Sequence, residues 1–245
     1  MTAALSAEVL KQRSVATTAG LFAGVLGLVA LAVVLHGVGL PAEDLATADN
    51  QLMVLGRGEF LAALFAALLG AMSFTLEIRH GTIRPTFLVN PRRTRVVIAK
   101  VAVSALIGAG FGLAASALAV AVGTAVLGAR GIDLLLGDGD YVLLVAGGAV
   151  AAALWAVIGV GIGAVVRDQA PTLIGITAWL LFVEGLFGEN LAEVSKFAPG
   201  TLGMAISGQE PNTLLAPAIS ALLLVMYAGA AAFAGAVATS RRDIP

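Results

Sequence analysis

The chain is poor in the residue types that carry most protein chemistry and most solvent contact. It has no cysteine, which excludes a disulfide, a thiolate nucleophile and a cysteine metal site. Charged residues make up only 12% of its 245 residues, whereas 59% are hydrophobic and the mean hydropathy is +0.99. A soluble globule of this size needs more polar surface than such a composition provides. The composition therefore predicts an integral membrane protein.

Long apolar stretches are what the sequence does contain. A bilayer core about 30 Å thick requires roughly 20 apolar residues per helix, and six stretches reach or approach that length. They are continuously apolar, without a period of two, which favours helices over a barrel. We predict an all-α polytopic protein with one membrane domain over residues 1–245, whose first span is retained and not cleaved as a signal peptide. The predicted spans are 16–35, 60–76, 97–127, 141–166, 172–187 and 214–239.

The few charges are divided unevenly between the two sides of these six spans. Eleven of the fourteen Lys and Arg residues fall on the side of the two termini, and eleven of the fifteen Asp and Glu residues fall on the other side. Short loops rich in Lys and Arg stay in the cytoplasm. We therefore expect a multi-pass protein with both termini cytoplasmic.

Motifs of the common enzyme classes are absent from the sequence. A P-loop needs Gly-x-x-x-x-Gly-Lys-Ser/Thr, and none of Lys11, Lys100 and Lys196 follows a glycine. There is no His-Glu-x-x-His and no Gly-x-Ser-x-Gly sequence. His36 and His80 fall on opposite predicted faces, so we do not expect them to share a metal or a proton. We expect no enzymatic activity, cofactor or metal on this chain alone, and no nucleic-acid partner.

Small residues recur at four-residue spacing within several spans, which lets helix backbones approach closely in lipid. We expect these residues to pack helices within one subunit, and a subunit seam or a moving helix pair is the alternative. The sets are Gly20/Gly24, Ser104/Gly108/Gly112/Ser116 and Gly159/Gly163.

Two segments outside the spans leave alternatives open. Residues 1–15 are amphipathic, so they form either an interfacial helix along the cytoplasmic headgroups or a solvated leader. Residues 188–213 are extracytoplasmic, or they turn back into the outer leaflet where protein buries their backbone. Glu184 lies just before them and is a candidate for the substrate path or an outer gate if it is inside the membrane. We favour an interfacial carboxylate that reaches water, because it lies near a helix end.

The most distinctive segment, residues 77–96, connects the second and third predicted spans. A loop that only sets the orientation of the protein in the membrane would account for the positive charge of this segment. It would not account for the order of its residues. Glu77 ends one span, Gly81 and Thr82 give a turn and a helix cap, and residues 82–88 fit a short helix with Pro85 in its first turn. Pro91 separates this helix from the next span. Six Lys and Arg residues lie here and just beyond: Arg79, Arg84, Arg92, Arg93, Arg95 and Lys100.

This order resembles the permease subunits of ABC-2 type ATP-binding cassette transporters, whose corresponding loop has an acidic residue, Gly-Thr, a short amphipathic helix, Pro-x-Arg and a basic start to the third span. Residues 6–14 resemble the family's N-terminal interfacial helix, and residues 197–199 lie where the family often has an aromatic residue and a proline. The high density of arginine after Pro91 departs from the pattern and leaves open which arginines dock a partner and which bind lipid. The matching residues are Glu77, Gly81, Thr82, Arg84, Pro91, Arg92, Arg93 and Lys100.

The resemblance implies a permease subunit in a prokaryotic cell membrane that pairs with a second copy or a homologue. Two cytoplasmic P-loop ATPase subunits would bind beneath it and would carry the ATP and Mg. Residues 82–88 would pass the closure of the ATPases to the spans, with Glu77 anchoring this helix to a nearby arginine. Arg84, Arg92 and Arg93 would meet acidic positions on the ATPase. The resemblance also implies that the transporter exports its substrate, which we expect to be apolar or amphiphilic.

Two other classes of protein remain open at this point. An ion-coupled carrier or channel would usually carry ionisable groups near the membrane midplane, and Glu184 is the nearest candidate. A non-transporting membrane scaffold is the second alternative.

Overall fold

The computed structural model describes residues 2–14, 16–89, 92–209 and 213–241. These residues form twelve α-helices and include no β-strand, which confirms the predicted all-α class. The helices are α1 (Thr2–Ser14), α2 (Ala16–Gly39), α3 (Ala48–Leu55), α4 (Arg57–Arg79), α5 (Ile83–Val89), α6 (Arg93–Ala129), α7 (Asp138–Val166), α8 (Gln169–Ala178), α9 (Glu184–Asn190), α10 (Ala192–Ser195), α11 (Pro199–Ile206) and α12 (Pro217–Arg241).

Six helical segments in the described part of the chain are long and apolar enough to cross a membrane. Spans 1, 3, 4 and 6 are the single helices α2, α6, α7 and α12. Span 2 runs through α3 and α4, so it begins at Ala48 and not near residue 60 as predicted. Span 5 runs from Gln169 to Gly188 through α8, a π-helical turn at Trp179–Val183, and the start of α9. The prediction of a six-span polytopic protein is confirmed.

Spans 2 and 4 form the centre of the bundle. In their most apolar stretches 67% of the residues are buried, against 17% in spans 1 and 6 and 22% in span 5. Span 4 packs against spans 2, 3 and 6, while span 1 packs on spans 2 and 3. Spans 1, 5 and 6 therefore leave large apolar faces on the outside, which suits contact with lipid or with another subunit.

Close approach of the central helices depends on residues without a side chain. A Cβ atom on Gly70 of α4 or on Gly159 of α7 would overlap a backbone carbonyl oxygen of the facing helix. The same holds for Gly112 of α6, which faces α7. Gly20 of α2, by contrast, has open space around its Cα. Packing within one subunit, as predicted, accounts for the small residues of spans 3 and 4.

The chain folds back into the bundle after span 5. Helix α11 starts with Pro199 at its first position, where a missing N–H costs nothing, and packs against α7, α12 and α4. Leu202 is fully buried, and Ile206 nearly so. The segment 188–213 thus contains a buried helix as well as an exposed one, α10. Residues 210–212 lie outside the described part of the chain.

Candidate functional site

Four charged side chains from three helices meet at one end of the bundle, and we call them the ion-pair cluster: Glu8 and Lys11 of α1, Glu77 of α4 and Lys100 of α6. The Lys100 Nζ atom lies 2.7 Å from Glu77 Oε1 and 3.0 Å from Glu8 Oε2. The Lys11 Nζ atom lies 2.7 Å from the same Glu77 oxygen and 3.0 Å from Glu8 Oε1. Each lysine therefore bridges both carboxylates.

Lys100 is the centre of the cluster. Its side chain is completely buried, and its ammonium group also donates a hydrogen bond to the Ser73 carbonyl oxygen at 2.8 Å. An ammonium group has three N–H donors, so Glu8, Glu77 and Ser73 use all of them. A buried charge is tolerated only when it is paired and hydrogen-bonded in this way.

Lys11 closes the cluster on its more exposed side. Burial lowers the pKa of Lys11, but the hydrogen bonds and charges of Glu77 and Glu8 raise it by more, so its pKa lies above the ordinary value. Lys11 therefore stays charged throughout the neutral range, and the two lysines balance the two glutamates.

Helix α5 is joined to the cluster through Thr86. Lys11 donates to the Thr86 hydroxyl at 3.4 Å. That hydroxyl lies 3.0 Å from the Thr82 carbonyl oxygen and 3.4 Å from Glu77 Oε2, between which its single hydrogen is shared. Ile83 and Phe87, four residues apart on one face of α5, are buried against the ends of α4 and α6. One face of this short helix is thus fixed to the bundle.

The turn before α5 lies where the sequence predicts it. Gly81 has φ = +69°, a left-handed conformation that favours glycine. Thr82 comes directly before the first residue of α5 and donates to the Glu77 carbonyl at 3.4 Å. Pro85 is the third residue of the helix, inside its first turn, as expected. Pro91 lies outside the described residues.

The other face of α5 is open. Arg84 is exposed, and Leu88 and Val89 retain 84% and 82% of their accessible surface. Arg92 is exposed next to it. Arg93 is half-buried, and its guanidinium donates to the Thr239 carbonyl at 3.1 Å and lies 5.6 Å from the centre of the Phe87 ring. Arg93 therefore ties α6 to α5 and α12, whereas the side chains of Arg84 and Arg92 are exposed.

The partners of Glu77 differ from the sequence expectation. We expected a nearby arginine, but the described ion pairs of Glu77 are to Lys11 and Lys100. Sequence reasoning also missed Glu8 as a member of the site. Two signals pointed to these residues: a lysine inside an apolar span, and a glutamate and a lysine three residues apart on an N-terminal helix.

At the opposite end of the bundle, Glu184 is buried, so our interpretation of a hydrated interfacial carboxylate is wrong. Its carboxylate accepts hydrogen bonds from the backbone N–H groups of Gly200 (2.8 Å) and Thr201 (3.2 Å) and from the indole N–H of Trp179. Gly200 and Thr201 are in the first turn of α11, where free N–H groups attract a negative charge. Glu184 thus fastens α11 to span 5.

A second buried carboxylate at this end, Glu59 of α4, was missed because it precedes the apolar stretch and was counted with the outer loop. Glu59 is 2% exposed and accepts a hydrogen bond from Gln209 Nε2 at 3.4 Å. Gln209 also donates to the Ser207 hydroxyl at 2.7 Å. Within the described ranges, Glu59 has no ion pair. The hydroxyl of Ser116, also buried, has no hydrogen-bond partner among the described residues.

In the part of the chain that the structure describes, no group of three or more His, Asp and Glu side chains is placed to hold a metal ion. No protein-family model matches the chain, and no curated protein matches it either. Its function is therefore inferred from the residues and the geometry of the chain itself.

Proposed function

We propose that the chain is the membrane-spanning permease subunit of an ATP-binding cassette transporter that exports an apolar or amphiphilic substrate, with energy from a separate P-loop ATPase. The main observation behind this proposal is the position of helix α5. It lies between spans 2 and 3, outside both, with one face fixed to the bundle and the other open. The resemblance of its sequence to the coupling loop of ABC-2 permeases supports the same conclusion.

The open face of α5 has the chemistry of a docking surface. Arg84 and Leu88 are four residues apart, so they lie on the same side of the helix. Leu88 and Val89 offer apolar area outside the spans, and Arg84 and Arg92 offer charge to acidic positions on a partner. The proposed partner is the ATPase subunit, which would carry the ATP and Mg.

The ion-pair cluster connects α5 to the spans through Thr86. Thr86 contacts Glu77 in the last turn of span 2, and Glu77 contacts Lys100 in span 3. A displacement of α5 by the ATPase would therefore move the ends of both spans together and would also pull on α1 through Glu8. Such coupled movement would switch the substrate path between its two orientations.

The proposal places α1, α5 and both termini on the cytoplasmic side of a prokaryotic cell membrane, in line with the excess of Lys and Arg there. The exposed apolar faces of the outer spans would contact lipid and a second copy of the chain or a homologue. Glu184 and α11 would lie at the outer end of the substrate path.

The test is co-purification of the full-length chain with a P-loop ATPase from its native membrane, followed by ATP turnover in lipid vesicles. The double variant Arg84→Glu/Leu88→Asp should weaken binding of the ATPase about tenfold or more, which corresponds to about 1.4 kcal/mol of binding free energy, and should reduce coupled ATP turnover accordingly. Ile83 and Phe87 stay unchanged, so α5 remains anchored.

Arg13→Glu is the matched control. Arg13 is an exposed arginine on the same side of the bundle but on α1, so this variant should retain the ATPase. Co-purification and turnover of the α5 double variant at the level of the unmodified chain would rule out the coupling role.

A second candidate function, an ion-coupled carrier, is favoured by Glu59 alone. A buried carboxylate within a span and without an ion pair in the described chain is a typical proton-binding group. In vesicles without any ATPase, a pH gradient should then drive substrate movement, and Glu59→Gln should abolish it. Transport that needs ATP and survives Glu59→Gln would favour the transporter subunit.

A further inference from the structure

A cavity of about 380 Å³ lies between α1, α2 and α4, next to the ion-pair cluster. This volume falls within the range of small-molecule sites, about 300–1,000 Å³. The proposed function makes no use of this cavity, because α5 docks its partner through another surface. Its lining and its position in the bundle indicate what it binds.

The two halves of the cavity differ in chemistry. Its inner half is mainly apolar and is lined by Leu21, Leu69 and Met72. Ser73 beside them donates its hydroxyl to the Gly70 carbonyl oxygen. Its outer half is polar, with Gln12, Thr18 and His80 next to the ion-pair cluster. His80 directly follows the last residue of α4, whereas Leu69 lies ten residues before that end, about 15 Å deeper along the helix. The cavity is therefore polar at the level of the headgroups and apolar at the level of the acyl chains.

The charge of the lining restricts the headgroup. Glu8, Lys11 and Glu77 line the cavity, and Lys100 behind them brings the cluster to two positive and two negative charges. A ligand with a net charge would add an uncompensated charge next to a cluster that is already balanced. A headgroup that carries both an ammonium and a phosphate adds none, and the amide, hydroxyl and imidazole groups of the outer half can hydrogen-bond to it.

We propose that this cavity binds one zwitterionic glycerophospholipid from the adjacent leaflet. The headgroup lies at Gln12, Thr18 and His80, and the first part of one acyl chain runs along Leu21, Leu69 and Met72. The rest of the lipid stays in the bilayer. Because the lipid contacts α1, α2 and α4 together, it also holds α1 against span 2. This site does not depend on the transporter function.

Native mass spectrometry of the full-length chain in mild detergent tests the proposal. The chain is titrated with phosphatidylethanolamine and, separately, with phosphatidylglycerol of the same acyl chains. Met72→Trp fills the inner half of the cavity, so it should weaken binding of the first phosphatidylethanolamine molecule about tenfold or more. Met226→Trp, an equal change on the exposed face of α12, should bind like the unmodified chain.

Three results would overturn the proposal: unchanged binding in Met72→Trp, an equal loss in Met226→Trp, or phosphatidylglycerol binding as tightly as phosphatidylethanolamine. A photoreactive phosphatidylethanolamine in nanodiscs gives a second test that needs no bulky substitution. Its crosslinks should map to α1, α2 and α4 at the cavity. Crosslinks confined to the outward faces of spans 5 and 6 would contradict the site even if Met72→Trp does not fold.

Discussion

The two ends of the bundle bury carboxylates in opposite ways. At the end that carries α1 and α5, Glu8 and Glu77 share two lysines in a balanced cluster. At the other end, Glu59 and Glu184 have only neutral partners within the described residues: an amide side chain, an indole and the N–H groups of α11.

The difference gives the two ends of the bundle different resistance to deformation. Paired charges hold several helices in one fixed arrangement, because removing any member leaves another charge buried alone. Hydrogen bonds from neutral donors leave no charge buried alone when one of them is lost, so they can be exchanged one at a time. The first end is thus suited to pass a displacement without deforming, and the second end is suited to open around α11.

The largest expected effect comes from breaking the balanced end. Lys100→Met removes the central cation and leaves two glutamates with Lys11 alone, so we expect a loss of about 3–5 kcal/mol of stability. Thermal unfolding in detergent measures it. Lys196→Met is the control, since Lys196 pairs with an exposed glutamate and should cost less than about 1 kcal/mol. Equal losses in both variants would show that the cluster has no special role.

At the neutral end, Glu184→Ala should cost about 1–3 kcal/mol, because the N–H groups of Gly200 and Thr201 lose their acceptor. Hydrogen exchange of α11 should increase well before the rest of the bundle opens. Glu193→Ala, a change at an exposed glutamate, serves as the control and should leave exchange in α11 as it is. If α11 stays equally protected without Glu184, the carboxylate does not fasten it.

A smaller effect should appear at alkaline pH. The pKa of Lys11 is raised in the folded protein, so its stabilising contribution is complete below its ordinary pKa and is lost as the pH rises through the folded value. The difference in melting temperature between the unmodified chain and Lys11→Met should therefore be retained at about pH 9 and should shrink over the range above about pH 10.5. A constant difference over this range would mean that the charge of Lys11 does not contribute.

The smallest change should follow from Glu59→Gln. Glutamine keeps the shape of glutamate and can still hydrogen-bond to Gln209, and the described contacts of Glu59 include no cation whose charge would be left unpaired. We expect a change below about 1 kcal/mol, and in the stabilising direction, because no charge then has to be buried. Glu77→Gln, the same substitution at the balanced end, should be clearly destabilising. If Glu59→Gln and Glu77→Gln lowered the stability by similar amounts, the two ends of the bundle would not differ in the way described.

Most of the fold could be predicted because hydropathy alone identifies helices that lipid surrounds. The start of span 2 could not. Asp49, Asn50 and Glu59 lower the hydropathy there, and Gln51 does so as well, although Gln51 is fully buried and bonds to Leu45 and Asp133 backbone atoms. Polar residues that the protein itself satisfies look like a loop in the sequence.

The candidate site also has one part that the sequence predicts and one part that it does not. Helix α5 could be predicted because Gly81 and Pro85 mark its start locally. The partners of Glu77 could not, since Lys11 is 66 residues away in the chain and meets Glu77 only through the packing of α1 on α6 and α2. Counting charges by side assigns a residue to a face of the membrane but not to a partner. For the same reason, the sequence did not show that Glu184 is buried against α11.

The π-helical turn in span 5 sets the direction of the Glu184 side chain relative to Trp179 and α11. Trp179 and Glu184 are five positions apart, which in a regular α-helix places them on different faces, yet here their side chains meet. If the same residues formed a regular α-helix, Glu184 would rotate by about 100° and point away from Gly200. The span would keep its apolar character but would release α11. Deleting Leu181, by contrast, would place Trp179 and Glu184 four positions apart on one face of a continuous α-helix, so Glu184 would still reach α11. The π-helical turn thus accommodates one extra residue in span 5 without changing the direction of Glu184.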